Sequence, residues 1–206
     1  MSFESVCAAY GTRAAEYIEA VGGVEHAGEA DRAHILAWAR GLDGRVLDVG
    51  SGPGQWTDHL RRRGVAIEGV EPVPEFLAAA RRRYPDSRYR EGRAERLPAP
   101  DRSLGGILAW YSLIHAEPDD IAAPLEEFAR VLAPGGSLLL GFFTGARLEP
   151  FDHAVATAYY WPADLLAERL ESAGFAMRDV RVRFDPAQTP APGRRPKAII
   201  TAVLLR

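Results

Sequence analysis

This chain has a single cysteine, Cys7, so it holds no disulfide framework and no cysteine metal cluster. It also lacks a strong charge of either sign: over 206 residues the formal net charge is −3. An obligatory nucleic-acid partner normally leaves a basic surface, and that balance argues against one. No apolar run is long enough to span a bilayer, and the N-terminus lacks a charged segment followed by an apolar core. The expectation is a cytoplasmic protein with no membrane partner. Neither a His-x-x-His pair nor an acidic cluster sits at ligand spacing, so no metal is expected. Lysine is nearly absent: Lys197 is the only one. The arginine runs 61–63 and 81–83 fall at the C-terminal ends of expected helices, where cations offset the helix dipole, and read as solvated faces.

What is present centres on residues 45–56, Arg-Val-Leu-Asp-Val-Gly-Ser-Gly-Pro-Gly-Gln-Trp. Val46, Leu47 and Val49 form a continuous apolar run, the pattern of a strand buried on both faces of a parallel sheet. Gly50, Gly52 and Gly54 allow a sharp turn and close approach of a ligand to bare backbone. The helix that follows, opening at Gln55 and Trp56, aims its unpaired N–H groups at that ligand. A dinucleotide site would carry G-x-G-x-x-G with the third glycine where Gln55 stands. Asp48 places a carboxylate beside the turn, which disfavours a pyrophosphate and favours a cationic ligand.

This stretch resembles the first motif of the class I S-adenosylmethionine (SAM)-dependent methyltransferases, where an acid precedes G-x-G-x-G. The resemblance is to the small-molecule enzymes of the UbiE/methyltransferase-11 type, and it extends over nearly the whole chain. Glu71 ends a second strand, 65–70, roughly twenty residues beyond the first glycine, the place of a ribose-binding acid. The segment Gly92-Arg93-Ala94-Glu95-Arg96-Leu97-Pro98 is similar to the family's adenine-side loop. Arg93 departs from it, standing where an Asp often accepts from the adenine amine. Arginine has donors only, so stacking on the ring or an outward turn are the options left. Residues 130–136, Arg-Val-Leu-Ala-Pro-Gly-Gly, resemble the family's late motif, a tight connection into the fifth strand.

The resemblance implies an α/β fold in three layers: a doubly wound, seven-stranded, mostly parallel sheet whose last strand is antiparallel. It implies one SAM-binding domain over 1–206, with a helical cover at 1–43 and a substrate-lid insert at 144–162. Tyr10, Arg13 and Tyr17 share a face of an expected helix over 3–21. In the family such a helix lies across the cofactor, though a tyrosine stripe also suits packing on the sheet. The implied cofactor set is Tyr10, Arg13, Tyr17, Asp48, Gly50, Gly52, Gly54, Gln55, Trp56, Glu71, Pro72, Arg93, Ala94, Glu95 and Tyr111. S-adenosylhomocysteine (SAH) is the implied product.

A fourth strand over 104–110 ends in Tyr111-Ser112-Leu113-Ile114-His115, beside the switch in strand order where open sheets bind ligands. His115 titrates near neutrality and is the candidate base, or a residue that shapes the pocket. Tyr111 and His153, the latter in the aromatic insert, complete the expected acceptor-side set. The expected reaction is in-line methyl transfer to a small-molecule acceptor, with oligomeric state left open. Two other readings stand beside it. A nicotinamide-dependent oxidoreductase needs a Tyr-Lys pair that Lys197, on the last strand, hardly supplies. A non-catalytic SAM-binding protein would keep the fold without the acceptor site.

Overall fold

The computed structural model describes residues 2–183 and 195–205. Most of the Pro-rich link expected over 186–196, and the end of the strand expected over 175–184, lie outside them. Nine strands, seven α-helices and one short 3-10 helix over Val24–His26 are found among the described residues. Seven strands form one sheet in the order β3-β2-β1-β4-β5-β9-β8. Their ranges are β1 Val46–Val49, β2 Ile67–Glu71, β3 Tyr89–Glu91, β4 Leu104–Trp110, β5 Leu132–Phe143, β8 Phe175–Arg183 and β9 Lys197–Leu204. Pairing is parallel from β3 through β5, while β9 runs antiparallel to both β5 and β8. This is the doubly wound, seven-stranded sheet that the resemblance implies, with an antiparallel last strand.

The apolar strands sort their side chains by the two-residue period. On one face Leu47, Val49, Ile107, Leu138 and Leu140 pack with Leu125 and Phe128 of α6 (Ala122–Val131) and Leu166 and Leu170 of α7 (Ala163–Ser172). On the other, Val46, Leu108 and Leu139 meet Ile35 and Ala39 of α3 (Glu29–Arg40) and Leu60 of α4 (Gln55–Arg61). A sheet covered on both faces gives three layers. The remaining helix of the sheet, α5 (Pro74–Arg83), sets Leu77 and Ala80 against Tyr89 of β3.

Strand order reverses between β1 and β4, so their carboxyl ends open a crevice there. Two N-terminal helices lie beside it. The single helix expected over 3–21 is two, α1 (Phe3–Thr12) and α2 (Ala14–Val21), broken at Arg13 with φ −107° and ψ 16°. No residue of α1 is fully buried, and the helix is held by the partly buried Cys7 and Tyr10 packing against Val73 and Phe76. Arg83 ties the pair to α5, its guanidinium donating to the Gly22 carbonyl at 2.9 Å. The insert expected as an aperiodic lid folds as an antiparallel hairpin, β6 (Glu149–Asp152) with β7 (Thr157–Tyr160). Pro150 and the lack of clean alternation hid those strands. Among the described residues no helix is long and apolar enough to cross a membrane.

Candidate functional site

The crevice holds two cavities, of 340 and 280 Å³, that share Tyr10, Tyr17, Gly50, Gly52, Trp110 and Tyr111 as a common wall. Volumes of that order suit a drug-sized ligand. Glycine at the turn has two separate causes. Gly50 has φ 70°, and a Cβ there would sit 2.3 Å from the Ser112 Cβ. Gly52, at φ 55°, would meet nothing within 4 Å, because its missing side chain faces the cavity. Gly54 does different work: a Cβ there would strike the Tyr89 hydroxyl at 2.5 Å, the group that donates to the Gly54 carbonyl. It packs strand against helix and lines neither cavity.

Two carboxylates are buried at this turn, Asp48 at 2% exposure and Glu71 at 4%. Among the described residues neither forms an ion pair. The Asp48 carboxylate accepts from the Thr57 hydroxyl of α4 at 2.7 Å. Burial pushes its pKa up to about 7, against the pull of the hydroxyl and amide of Thr57. The two oxygens of Glu71 accept separately from the backbone N–H groups of Gly52, at 2.7 Å, and Val73, at 2.9 Å. Glu71 is likewise raised to about 7, first by burial and further by the charge of Asp48, while those two amides pull the other way. Each oxygen keeps a second acceptor position. Buried Ser51 and Ser112 hydroxyls and the Gln55 amide oxygen have no partner among the described residues.

The first cavity is also lined by Pro72, Arg93, Ala94, Glu95 and His115, the second by Asp48, Gln55, Trp56 and His153. Arg93 is not free to meet a ligand edge. Its guanidinium lies 3.7 Å from the centroid of the Phe3 ring and 3.2 Å from a Glu95 oxygen, closing α1 over that end. Arg13 lines neither cavity. It pairs with Glu16 and donates to the Ala154 carbonyl, joining the N-terminal helices to the hairpin loop.

His115 sits between two fixed partners. Its Nδ1 is 2.7 Å from the Thr157 carbonyl, which can only accept, so Nδ1 carries the proton. Nε2 then accepts from the Tyr10 hydroxyl at 2.8 Å. Burial holds its pKa below the ordinary histidine value. His153 packs edge-on at 5.2 Å between ring centroids and is lowered to about 4, mostly by burial and then by His115, Arg195 and Arg13. Tyr111 adopts φ 57°, an unusual conformation for a residue with a side chain, and packs against Phe143 at 5.2 Å. Thr57, Phe143 and Lys197 are site residues that sequence reasoning missed. For Thr57 the only available signal was a hydroxyl in the first turn of α4. Phe143 and Lys197 are juxtaposed only by the β5–β9 register, where they are direct partners.

A family model described as "Methyltransferase domain" matches residues 46–136. The demethylmenaquinone methyltransferase of Chlorobaculum tepidum is 38% identical over 93 residues, 45% of this chain and 38% of that protein. The chain thus spans well under half the length of that curated relative. Among solved structures, the 1,6-didemethyltoxoflavin-N1-methyltransferase of Burkholderia thailandensis, with 1,6-didemethyltoxoflavin and S-adenosylhomocysteine bound, matches with a TM-score of 0.76 at 22% identity, covering 100% of this chain and 92% of that one. A SAM-dependent methyltransferase of Thermotoga maritima, described as a possible histamine N-methyltransferase, matches with a TM-score of 0.71 at 22% identity, over 95% of this chain and 98% of that one. At such identities the likeness carries the fold.

Proposed function

We propose that this chain, which has the fold of the class I methyltransferases and matches a methyltransferase-domain model over residues 46–136, binds SAM and transfers a methyl group to a small-molecule acceptor. One observation carries the reading: two buried carboxylates border the cavities, and neither forms an ion pair among the described residues. Buried charge without a partner is costly, and groups perturbed by burial in a cleft mark functional sites. SAM supplies an activated methyl on a sulfonium, together with an ammonium and two ribose hydroxyls.

The residues fit that group. Glu71 keeps one acceptor position on each oxygen for a ribose hydroxyl, its other positions being held by Gly52 and Val73. Asp48, fixed by Thr57, offers negative charge at the turn for the amino-acid end. Gly50 and Gly52 leave the backbone bare where a ligand must pass. Ala94 and Glu95 border the nucleoside end with Pro72, while Arg93 acts through Phe3 as a clasp on the covering helix. Tyr10 and Tyr17 form the roof over the shared wall.

On the acceptor side, the Tyr10–His115 pair is the group that takes up a proton, at His115 Nε2 once Tyr10 turns away, a role supported by the two hydrogen bonds of the ring. Positioned general bases contribute about 10²–10⁴-fold. We assign residues 1–43 to covering the cofactor and the 144–162 hairpin to closing over the acceptor, within one functional unit. Arg13 joins the two through Ala154. Calorimetric titration tests the proposal: SAM and SAH bind and NADH does not. Asp48→Ala and Glu71→Ala each weaken SAM binding while melting curves stay cooperative. Binding of NADH, or unchanged SAM affinity in both variants, overturns it.

A further inference from the structure

We propose that the methyl acceptor is a planar aromatic anion, its ring lying against Phe143 and His153 and its charge facing the Lys197 ammonium. The inference rests on the methyl-transfer reading above and deepens it. It starts from where the chain spends its single lysine. Because β9 runs antiparallel to the rest of the sheet, its first residue emerges at the end where the parallel strands finish. The register pairs Lys197 with Phe143, the last residue of β5. A basic residue is thereby delivered to the ligand edge of the sheet by the one strand that can begin there.

Lys197 lines the second cavity together with Phe143, His153 and Tyr111. Its Nζ lies 5.3 Å from the centroid of the Tyr111 ring, and it forms no ion pair among the described residues. Tyr111 is held there at φ 57°, a left-handed conformation unfavourable for a residue with a side chain. Such strain persists where the surroundings fix it, and it gathers at ligand sites. Its fixing contacts are the Tyr111 amide donating to the Gly141 carbonyl at 3.0 Å and the Phe143 ring. A second cation stands close: the Arg195 guanidinium lies 4.6 Å from the Phe151 ring, which packs on Phe143 at 5.3 Å.

The remaining polar groups agree with an anion. His153 Nδ1 is buried with no hydrogen-bond partner among the described residues. Its neutral ring has an N–H to offer, and burial, helped by the neighbouring charges, holds it neutral. The acids lining the same cavity are Asp31 of α3 and Asp48 of β1. Neither belongs to the β4–β5–β9 edge that carries Tyr111, Phe143 and Lys197. Flat aromatic walls select a flat ring, since offset and edge-on ring pairs are favoured beyond their buried area.

The test uses the full chain saturated with SAH and three probes on one ring: 4-hydroxybenzoate, 4-hydroxybenzyl alcohol and 4-hydroxybenzylamine. Calorimetry should show the benzoate binding at least tenfold more tightly than the alcohol, with the amine weakest. Lys197→Met should abolish that preference and Lys197→Arg should retain most of it. Failure of SAH itself to bind overturns the methyl-transfer reading. With SAH bound, three outcomes overturn this inference alone: no binding of the benzoate, equal binding of all three probes, or a preference unchanged in Lys197→Met.

Discussion

Glu71→Gln offers a direct probe of the buried charge at the turn. In the folded protein Glu71 titrates near 7, raised from 4.5. A carboxyl whose folded pKa lies above its unfolded one binds more protons folded than unfolded between those values. The stability this gives is therefore complete below about pH 4.5 and is lost as pH rises through 7. At about 1.4 kcal/mol per pH unit below the folded pKa, ionising Glu71 costs the ligand-free protein about 2 kcal/mol between pH 5.5 and 8. Three histidines held neutral by burial, His59, His115 and His153, act oppositely, losing stability as pH falls below the ordinary histidine value. Comparing wild type with Glu71→Gln cancels them, and the difference then reports Glu71 together with its coupling to Asp48, which titrates in the same range. The variant carries a constant penalty, because its amide nitrogen cannot accept from Gly52 or Val73. Relative to that constant, wild type should lose about 4–8 °C in melting temperature over that pH range, at about 2–4 °C per kcal/mol. Parallel melting profiles in the two proteins would refute the reasoning.

Other outcomes follow from the same geometry. Gly50→Ala meets the Ser112 Cβ at 2.3 Å in a positive-φ conformation and should cost about 2–4 kcal/mol in denaturant unfolding. Gly52→Ala has open space and should cost only about 1–2 kcal/mol of conformational strain, yet reduce SAM affinity more than tenfold because the new methyl enters the cavity. Thr57→Val leaves Asp48 without its hydroxyl donor; urea unfolding should register a loss of about 1–3 kcal/mol, and SAM binding should shift to higher pH. Tyr10→Phe removes the hydrogen bond to His115 and should raise the pKa of His115 towards its ordinary value, visible in the proton NMR titration of its ring.

The central turn was legible because its determinants are local. An apolar run, an acid and glycines at alternate positions specify a buried strand, a positive-φ turn and a helix start within residues 46–56. The sheet architecture came from the resemblance, and the antiparallel ending also from a link without helical periodicity between two strands. Long-range consequences were not legible. The break at Arg13 follows Gly11 by two residues, a weak signal on its own, and is accompanied by Arg13 pairing with Glu16 and the distant Ala154 carbonyl. Tyr10 looked equally suited to packing and to ligand contact. It packs tilted against Phe76 at 5.7 Å and donates to His115, which lies 105 residues away. Arg93 breaks the loop pattern because its partner is the Phe3 ring. Lys197 read as an isolated cation until the β5–β9 register put it opposite Phe143.

The most direct measurement is a crystal structure of the full chain grown with SAH. The account predicts the ribose hydroxyls within hydrogen-bond distance of both Glu71 oxygens, the adenine beside Ala94 and Glu95, and the amino-acid end over Gly50 on the Asp48 side. A crevice that stays empty at saturating SAH, or a nucleoside bound away from Glu71, would contradict it.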